Sequence, residues 1–176
     1  MRHGLISSML MFLAATATAQ DREAHEKSEE GEAAKATPAL ATALKEAKVS
    51  LASGLKAAEQ EGRPISGKFE LEDGKLQLSV YTMKADKFSE VIVDHKTGKV
   101  AKSEPITGGD DLTAAGKQAQ AMGKTKSSLR DVIAKAEKAN PGYHAVSVVP
   151  EVENGKPQAD VTLLKGTTSK SVDEPL

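Results

Sequence analysis

The chain has 176 residues, with 24 Lys and Arg against 25 Asp and Glu, a formal net charge of −1 and no cysteine. This charge balance argues against a nucleic-acid binder, and the lack of cysteine excludes disulfides, thiol nucleophiles and thiolate metal sites. Only 3% of the residues are aromatic, so the core must be built mainly from Leu, Val, Ile and Ala.

The first 19 residues have the pattern of a secretory signal peptide. A basic start precedes the apolar run 9–15, and small residues follow at positions 17 and 19. This order predicts export, with cleavage between Ala19 and Gln20. An uncleaved anchor or a buried strand is the alternative, but the run is shorter than the roughly 20 residues that span a bilayer. We therefore expect a periplasmic or extracellular protein with no membrane segment after the signal is removed.

Residues 20–37 contain many charged side chains and no large apolar residue. Such a segment cannot bury enough surface to offset the entropy lost on ordering, so it is predicted to be a disordered acidic segment. It has two interpretations, a solvated leader or a tether that steers charged partners.

An internal repeat follows this segment. The string Lys48-Val49-Ser50-Leu51 returns 78 positions later as Lys126-Ser127-Ser128-Leu129, and Asp73-Gly74-Lys75 returns 81 positions later as Asn154-Gly155-Lys156. Repeats of this kind indicate two copies of one supersecondary unit. The sequence predicts repeat 1 over residues 38–105 and repeat 2 over residues 106–176.

Each repeat opens with a predicted helix. In repeat 1 apolar residues recur every three or four positions from Pro38, and Gly62 and Pro64 end the pattern. The apolar residues of this stripe are Leu40, Leu44, Ala47, Leu51, Leu55 and Ala58.

Repeat 2 has a comparable stripe from Leu112 to Ala136, with Asp110 or Asp111 as a cap at its start. Ser128 offers a competing start, because it forms a capping-box pattern with Asp131. In that alternative, residues 110–126 are a linker. Similar residues in the two copies extend upstream of that point, and this favours one long helix with Ser128 inside it.

Alternating segments after each helix predict strands. Repeat 1 has strands at 65–71, 76–80 and 88–93, with a short fourth strand from Val100, and the Asp73-Gly74 turn predicts a hairpin. Repeat 2 has strands at 145–152 and 159–164 and a weak third around Val172. The predicted fold class is α+β, with two tandem units that each pack a long helix on a small antiparallel sheet.

The string Val93-Asp94-His95-Lys96-Thr97-Gly98-Lys99-Val100 resembles the end of a PepSY domain. The family-motif turn is carried by Val93, Asp94, Thr97 and Gly98. Repeat 1 is similar to the family over residues 46–102, and repeat 2 over 124–176 without this ending. The resemblance implies a helix packed on an antiparallel sheet. It also implies an exported bacterial protein related to the propeptides of thermolysin-like metalloproteases, for which a role in restraining peptidases has been proposed.

The residues that could carry catalysis are few. His25, His95 and His144 have no metal-ligand spacing, and His95 beside Asp94 suits an exposed turn better than a weak metal site. Asp110-Asp111 can be interpreted as a paired carboxylate or as a helix cap, and the cap is favoured. The sequence therefore predicts no catalytic residue, no metal and no cofactor.

Lysines are frequent on both predicted helices. They suit a solvated face opposite the apolar stripe, and the alternative is contact with an anionic surface. The lysines concerned are Lys45, Lys48, Lys56, Lys117, Lys124, Lys126 and Lys135.

The leading hypothesis is an exported, non-enzymatic PepSY-type binding module for a protein partner such as an exported peptidase, which it binds or restrains. A partner strand can add to an exposed sheet edge. The alternative is a cell-envelope protein that binds a small ligand or a metal ion, and an enzyme is the third hypothesis. The sequence sets no oligomeric state.

Overall fold

The computed structural model describes residues 37–176. The predicted cleavage site at Ala19 and Gln20 lies outside the described residues, and so do His25 and all of the acidic segment except its last residue. Predictions about export and about that segment therefore stay predictions.

Helices precede strands in each repeat, in the order that the sequence predicts. In the part of the chain from Thr37 onward there are four α-helices, a 3₁₀ turn and seven strands. They are α1 Pro38–Ala43, the 3₁₀ turn Leu44–Glu46, α2 Leu51–Ala58, β1 Arg63–Glu72, β2 Lys75–Lys84, β3 Lys87–Val93, β4 Val100–Ile106, α3 Gly109–Gly123, α4 Leu129–Ala139, β5 His144–Glu153, β6 Lys156–Lys165 and β7 Thr168–Pro175.

The prediction of two tandem units with separate small sheets is wrong. All seven described strands form one antiparallel sheet in the order β4-β3-β2-β1-β5-β6-β7. The sheets merge because β1 pairs with β5, through Gly67 with Val148 and Lys68 with Ser147. An unpaired strand edge exposes backbone N–H and C=O groups, and this pairing removes one such edge from each repeat.

The two repeats are related by an approximate twofold axis at the centre of the sheet. Gly67 and Val148 lie 81 positions apart, as do the two hairpin turns, and these equivalent residues pair with each other. The register shifts agree, because one lies at Ile65 in β1 and the other at its equivalent, Val146, in β5. The two repeats therefore share the same backbone conformation in these strands, even where their side chains differ.

The prediction of a single long helix in each repeat is also wrong. In repeat 1 the helix stops before Ala47, and α2 starts after Ser50, whose side chain accepts a hydrogen bond from the Ser53 N–H at 3.2 Å. In repeat 2, Ser128 Oγ accepts from the Asp131 N–H at 3.2 Å and donates to the Asp131 carboxylate at 2.6 Å. The capping box at Ser128 is thus a helix start. The alternative interpretation is right about this start but wrong about residues 110–126, most of which form α3 rather than a linker.

The helices lie on both faces of the sheet. A Cβ added to Gly67 would touch Leu51 and Leu55 of α2, so α2 covers that face. Neighbouring residues on a strand point to opposite faces, and Ser66 instead donates a hydrogen bond at 2.8 Å to Gln118 of α3. The helix α3 therefore covers the opposite face, and the chain changes face between α3 and α4.

The helix α4 returns to the face that α2 covers. Its Lys135 contacts Glu174 of β7 at 2.6 Å, and Arg130 contacts Glu59 at the end of α2 at 3.1 Å. The buried apolar residues of both repeats form one continuous cluster. Within residues 37–176, no helix is long and apolar enough to cross a membrane.

The hairpin prediction is confirmed. Asp73 and Gly74 have φ values of 49° and 74°, and their equivalents Asn154 and Gly155 have 49° and 79°. Positive φ at both central residues is typical of the type I′ turn that suits twisted antiparallel strands. The weak third strand of repeat 2 is the full strand β7, whereas β4 has no counterpart in that repeat.

Candidate functional site

The family-motif turn is a closed loop between β3 and β4. Asp94 accepts hydrogen bonds from the backbone N–H groups of Lys96 at 2.9 Å and Thr97 at 2.7 Å. These bonds, that from Thr97 first, hold the pKa of the Asp94 carboxyl below its usual range. Gly98 has a φ of 73°, which a residue with a side chain rarely adopts.

This turn holds the connection between α1 and α2. The carbonyl of His95 accepts N–H bonds from Lys48 at 2.9 Å and Val49 at 3.3 Å. A Cβ added to Gly98 would lie 3.2 Å from Val49. The observed role of the turn is therefore structural, because it fixes the chain just before the Ser50 cap of α2.

Val93, the first residue of the motif, is the last residue of β3 and is buried in the core. Its strand partner is Leu78, which packs under Gly54 of α2. The four motif residues thus belong to a segment that packs against α2 and the connection before it.

The remaining polar candidates stay apart. His144 is the exposed first residue of β5, and His95 lies in the β3–β4 turn. Asp110 and Asp111 lie in the first turn of α3, whose N-cap is Gly108, so neither carboxylate caps the helix as predicted. Instead, Asp111 accepts a 2.6 Å hydrogen bond from Tyr81. Within residues 37–176, no group of three or more His, Asp or Glu residues is placed to hold a metal ion.

A recess lies where the two repeats meet, and we name it the junction cleft. It is an open cleft of about 460 Å³ between the C-terminal end of α2, the start of β1 and the α3–α4 connection. This volume falls in the range of roughly 300–1,000 Å³ that is usual for ligand pockets. Its lining residues are Leu55, Glu59, Gly62, Arg63, Pro64, Met122, Thr125, Lys126, Ser127, Ser128, Leu129 and Arg130.

The lining of the junction cleft combines buried apolar residues with positive charge. Leu55, Met122 and Leu129 lie beneath the cleft, and at 1%, 1% and 3% exposure they present almost no surface to it. Around them lie three cations and one acid, which are Arg63, Lys126, Arg130 and Glu59.

The only lining acid is already engaged by two cations. Glu59 Oε2 lies 2.7 Å from Lys56 Nζ, and Glu59 Oε1 lies 3.1 Å from Arg130 Nε. The hydrogen bond from Lys56, assisted by Arg130, holds the pKa of Glu59 below its usual value. Glu59 is therefore ionised at neutral pH and forms an ion pair with Arg130, although the Arg130 Nε–H is not aligned for a hydrogen bond to it.

Local sequence patterns do not reveal this cleft. The sequence predicts a solvated helix face for Lys126, and Arg63 and Arg130 belong to none of the motifs that it offers. Arg63 is 63 positions from Lys126, and the two meet only because the repeats share a sheet. The capping-box signal at Ser128 marks the α3–α4 break that forms one wall of the cleft.

Comparison of the chain with protein-family models, with curated proteins and with solved structures gives no match. The similarity to PepSY domains therefore depends on the Val93–Val100 string and on the repeat pattern alone.

Proposed function

We propose that this protein is an exported, non-enzymatic binding module of PepSY type that binds a protein partner such as an exported peptidase. The observation that supports this most is the junction cleft, which needs residues of both repeats for its walls. A tandem duplication that joins its copies into one sheet gains a recess that neither copy has alone. The duplication therefore creates a recess in which a ligand could bind.

The charge pattern of the cleft supports binding rather than catalysis. A general acid–base pair or an activated nucleophile needs side chains within hydrogen-bond reach of each other and near the substrate. The polar lining instead consists of cations, hydroxyl groups and a carboxylate that is held in ion pairs. The Ser128 hydroxyl does donate to Asp131 at 2.6 Å, but this pair forms the N-terminal cap of α4. Such groups position a ligand without transferring its protons.

The test uses purified proteins. Residues 20–176 are immobilised, and binding of purified exported peptidases, with a thermolysin-like metallopeptidase first, is measured by biolayer interferometry. Cleavage of a fluorogenic peptide by the same enzymes is followed at increasing concentrations of the protein. We expect saturable binding to at least one peptidase and slower cleavage. Absence of binding across metallo-, serine and cysteine peptidases would overturn the proposal.

A cell-envelope protein that binds a small anionic ligand is the second candidate. The volume of the cleft and its excess of cations favour this function. A thermal shift on addition of small dicarboxylates, without binding of any peptidase, would favour it over the first.

A further inference from the structure

The outer edge of β7 has no strand partner in the described chain. β7 is the last strand of the sheet, and β6 is the one described strand that pairs with it. β3 begins at Lys87 and β7 at Thr168, 81 positions later, so the two strands are equivalent in the repeats. The outer edge of β3 is covered by β4. Repeat 2 therefore leaves open an edge that repeat 1 fills with a strand.

The backbone groups that face this free edge follow from one hydrogen bond. The N–H of Leu176 donates to the carbonyl of Pro157, next to β6 residue Gln158, at 3.2 Å. Because the bonded residues alternate along an antiparallel strand, the even-numbered residues of β7 bond to β6. The N–H and C=O groups of Ser169, Ser171 and Asp173 therefore point away from the sheet, where a further strand could pair with them.

The opposite edge of the sheet, at β4, is a poorer template. The register of β4 shifts opposite the end of β3, and Pro105 has no N–H to offer. Register shifts and prolines are features by which natural edge strands prevent the addition of another strand. β7, in contrast, pairs with β6 in an unbroken register, and Pro175 lies at its end. The edge at β7 is thus the one open to strand addition.

The side chains of β7 are complementary to a second copy of the same strand. Lys170, Val172 and Glu174 share the face of the sheet on which Glu174 contacts α4. If β7 pairs antiparallel with its own copy and Val172 faces Val172, each Lys170 lies opposite the Glu174 of the other chain. The same register places Ser171 opposite Asp173 on the other face. Facing charges of opposite sign stabilise a strand pair.

The neighbouring registers lack this match. A shift by two residues in one direction would place Asp173 opposite its own copy, and facing like charges destabilise a strand pair. A shift by two in the other direction would place Lys170 opposite Val172. A shift by one residue would bring the outward backbone groups of one strand against the wrong residues of the other. The charges therefore select the register centred on Val172.

We propose that β7 pairs antiparallel with β7 of a second copy of this chain, centred on Val172, and so joins two seven-stranded sheets into one. A twofold dimer needs a patch that is complementary to itself, and this register supplies one. The eight residues of β7 are fewer than the roughly 20–30 residues a side of a standard interface. The dimer should therefore be weak and reversible. This inference goes beyond the proposed function and is independent of the junction cleft.

The first test is analytical ultracentrifugation of residues 20–176 from about 10 µM to about 1 mM, with hydrogen exchange at the same concentrations. We expect a reversible monomer–dimer equilibrium, with slower exchange of the Ser171 and Asp173 amides in the dimer. Ser171→Pro removes an outward N–H and should weaken dimerisation at least about tenfold. Ser103→Pro is the matched control on β4, two residues before Pro105, and should dimerise like wild type. Thermal unfolding establishes that both variants are folded.

A charge exchange tests the register without a proline. Lys170→Glu places a carboxylate opposite Glu174 of the other copy, and Glu174→Lys places an ammonium group opposite Lys170. Each variant alone should dimerise at least about tenfold more weakly than wild type. In an equimolar mixture, both facing pairs have opposite charges again. The two variants should therefore form a heterodimer with each other in preference to either homodimer.

Three outcomes would overturn the inference. A wild-type chain that stays monomeric up to about 1 mM would exclude the second copy, and protection of the β7 amides by an added peptidase would then assign the edge to a strand of that partner. Equal weakening by Ser171→Pro and Ser103→Pro would mean that dimerisation does not depend on β7. A mixture of Lys170→Glu and Glu174→Lys that associates no better than its components would exclude the register centred on Val172.

Discussion

Gly67 of β1 and Val148 of β5 are equivalent residues of the two repeats, and they face each other where the repeats join. Their pairing places the approximate twofold axis through the middle of the seven-stranded sheet. Because Gly67 has no side chain, Leu55 and Leu51 of α2 can pack directly on the backbone there. The junction cleft opens beside this contact, with Leu55 in its lining.

The contact between α2 and the sheet predicts an unusual result for Gly54. Alanine normally stabilises a helix interior by about 1 kcal/mol relative to glycine. At Gly54, however, the added Cβ would overlap Leu78 Cδ2 and lie 3.0 Å from its Cγ, and Leu78 is fully buried. We expect Gly54→Ala to lower the free energy of unfolding by roughly 1–3 kcal/mol, as measured by urea denaturation.

A matched control exists in α3, where a Cβ at the exposed Gly116 would meet nothing within 4 Å. Gly116→Ala should raise the free energy of unfolding by up to about 1 kcal/mol. In a Leu78→Ala background the loss caused by Gly54→Ala should vanish, because the overlapping atoms are gone. An unchanged loss in that background would show that the overlap is not its cause.

The role of the β3–β4 turn predicts a second result. Gly98 and Gly74 have nearly equal φ values of 73° and 74°, but only a Cβ at Gly98 would meet a neighbour, Val49 at 3.2 Å. Both alanine variants should lose roughly 1–2 kcal/mol from backbone strain. Gly98→Ala should lose more, because it also displaces the connection before α2. Equal losses in thermal unfolding would argue against a clamp at this turn.

Asp160 predicts a dependence of stability on pH. Burial raises the pKa of its carboxyl, and the nearby Asp173 and Glu151 raise it further, whereas the Ser171 hydroxyl lowers it. Asp160 and Asp173 face each other on β6 and β7. A raised folded-state pKa means that the folded protein binds this proton more tightly than the unfolded chain. The contribution of Asp160 to the free energy of unfolding should therefore rise as the pH falls from above its folded-state pKa towards its pKa in the unfolded chain.

Asp160→Asn should increase the free energy of unfolding at pH 7, and the difference from wild type should disappear once Asp160 is protonated. Asp173→Asn should give a smaller gain, since it relieves repulsion but leaves a half-buried charge. Urea unfolding at a series of pH values measures both. A less stable Asp160→Asn at pH 7 would contradict this reasoning.

The local parts of the fold were predictable and the long-range pairing was not. Asp73-Gly74 and Asn154-Gly155 identify their hairpins because positive φ is a property of the turn residues themselves. The helix break at Ser50 was not predicted, and the break at Ser128 was only the alternative interpretation, because the apolar periodicity continues across both gaps. Periodicity reports which side chains are buried, whereas the cap reports where the backbone turns.

The junction cleft was outside the reach of sequence reasoning for a similar reason. Arg63 and Lys126 belong to different repeats, and each in isolation is an ordinary exposed cation. The residues of β1 and β5 carry no signal that the two strands pair, because each strand would also suit the edge of a separate small sheet. The Val93–Val100 string was found, but its observed contacts are with the chain before α2 rather than with the cleft.

The pairing of β1 with β5 unites the two repeats in one sheet and so builds the junction cleft. The chain has no cysteine, so Lys68→Cys/Ser147→Cys introduces one pair at facing positions of β1 and β5. Facing residues have Cα atoms about 4.5–5.5 Å apart, within the range that a disulfide spans. Glu72→Cys/Ser147→Cys is the control, because Glu72 lies on the same face but about 13 Å further along β1.

Under mild oxidation, mass spectrometry and non-reducing electrophoresis should show a rapid intramolecular disulfide in Lys68→Cys/Ser147→Cys and none in the control. Free thiols or intermolecular dimers alone in the first variant would contradict the shared sheet and the junction cleft with it.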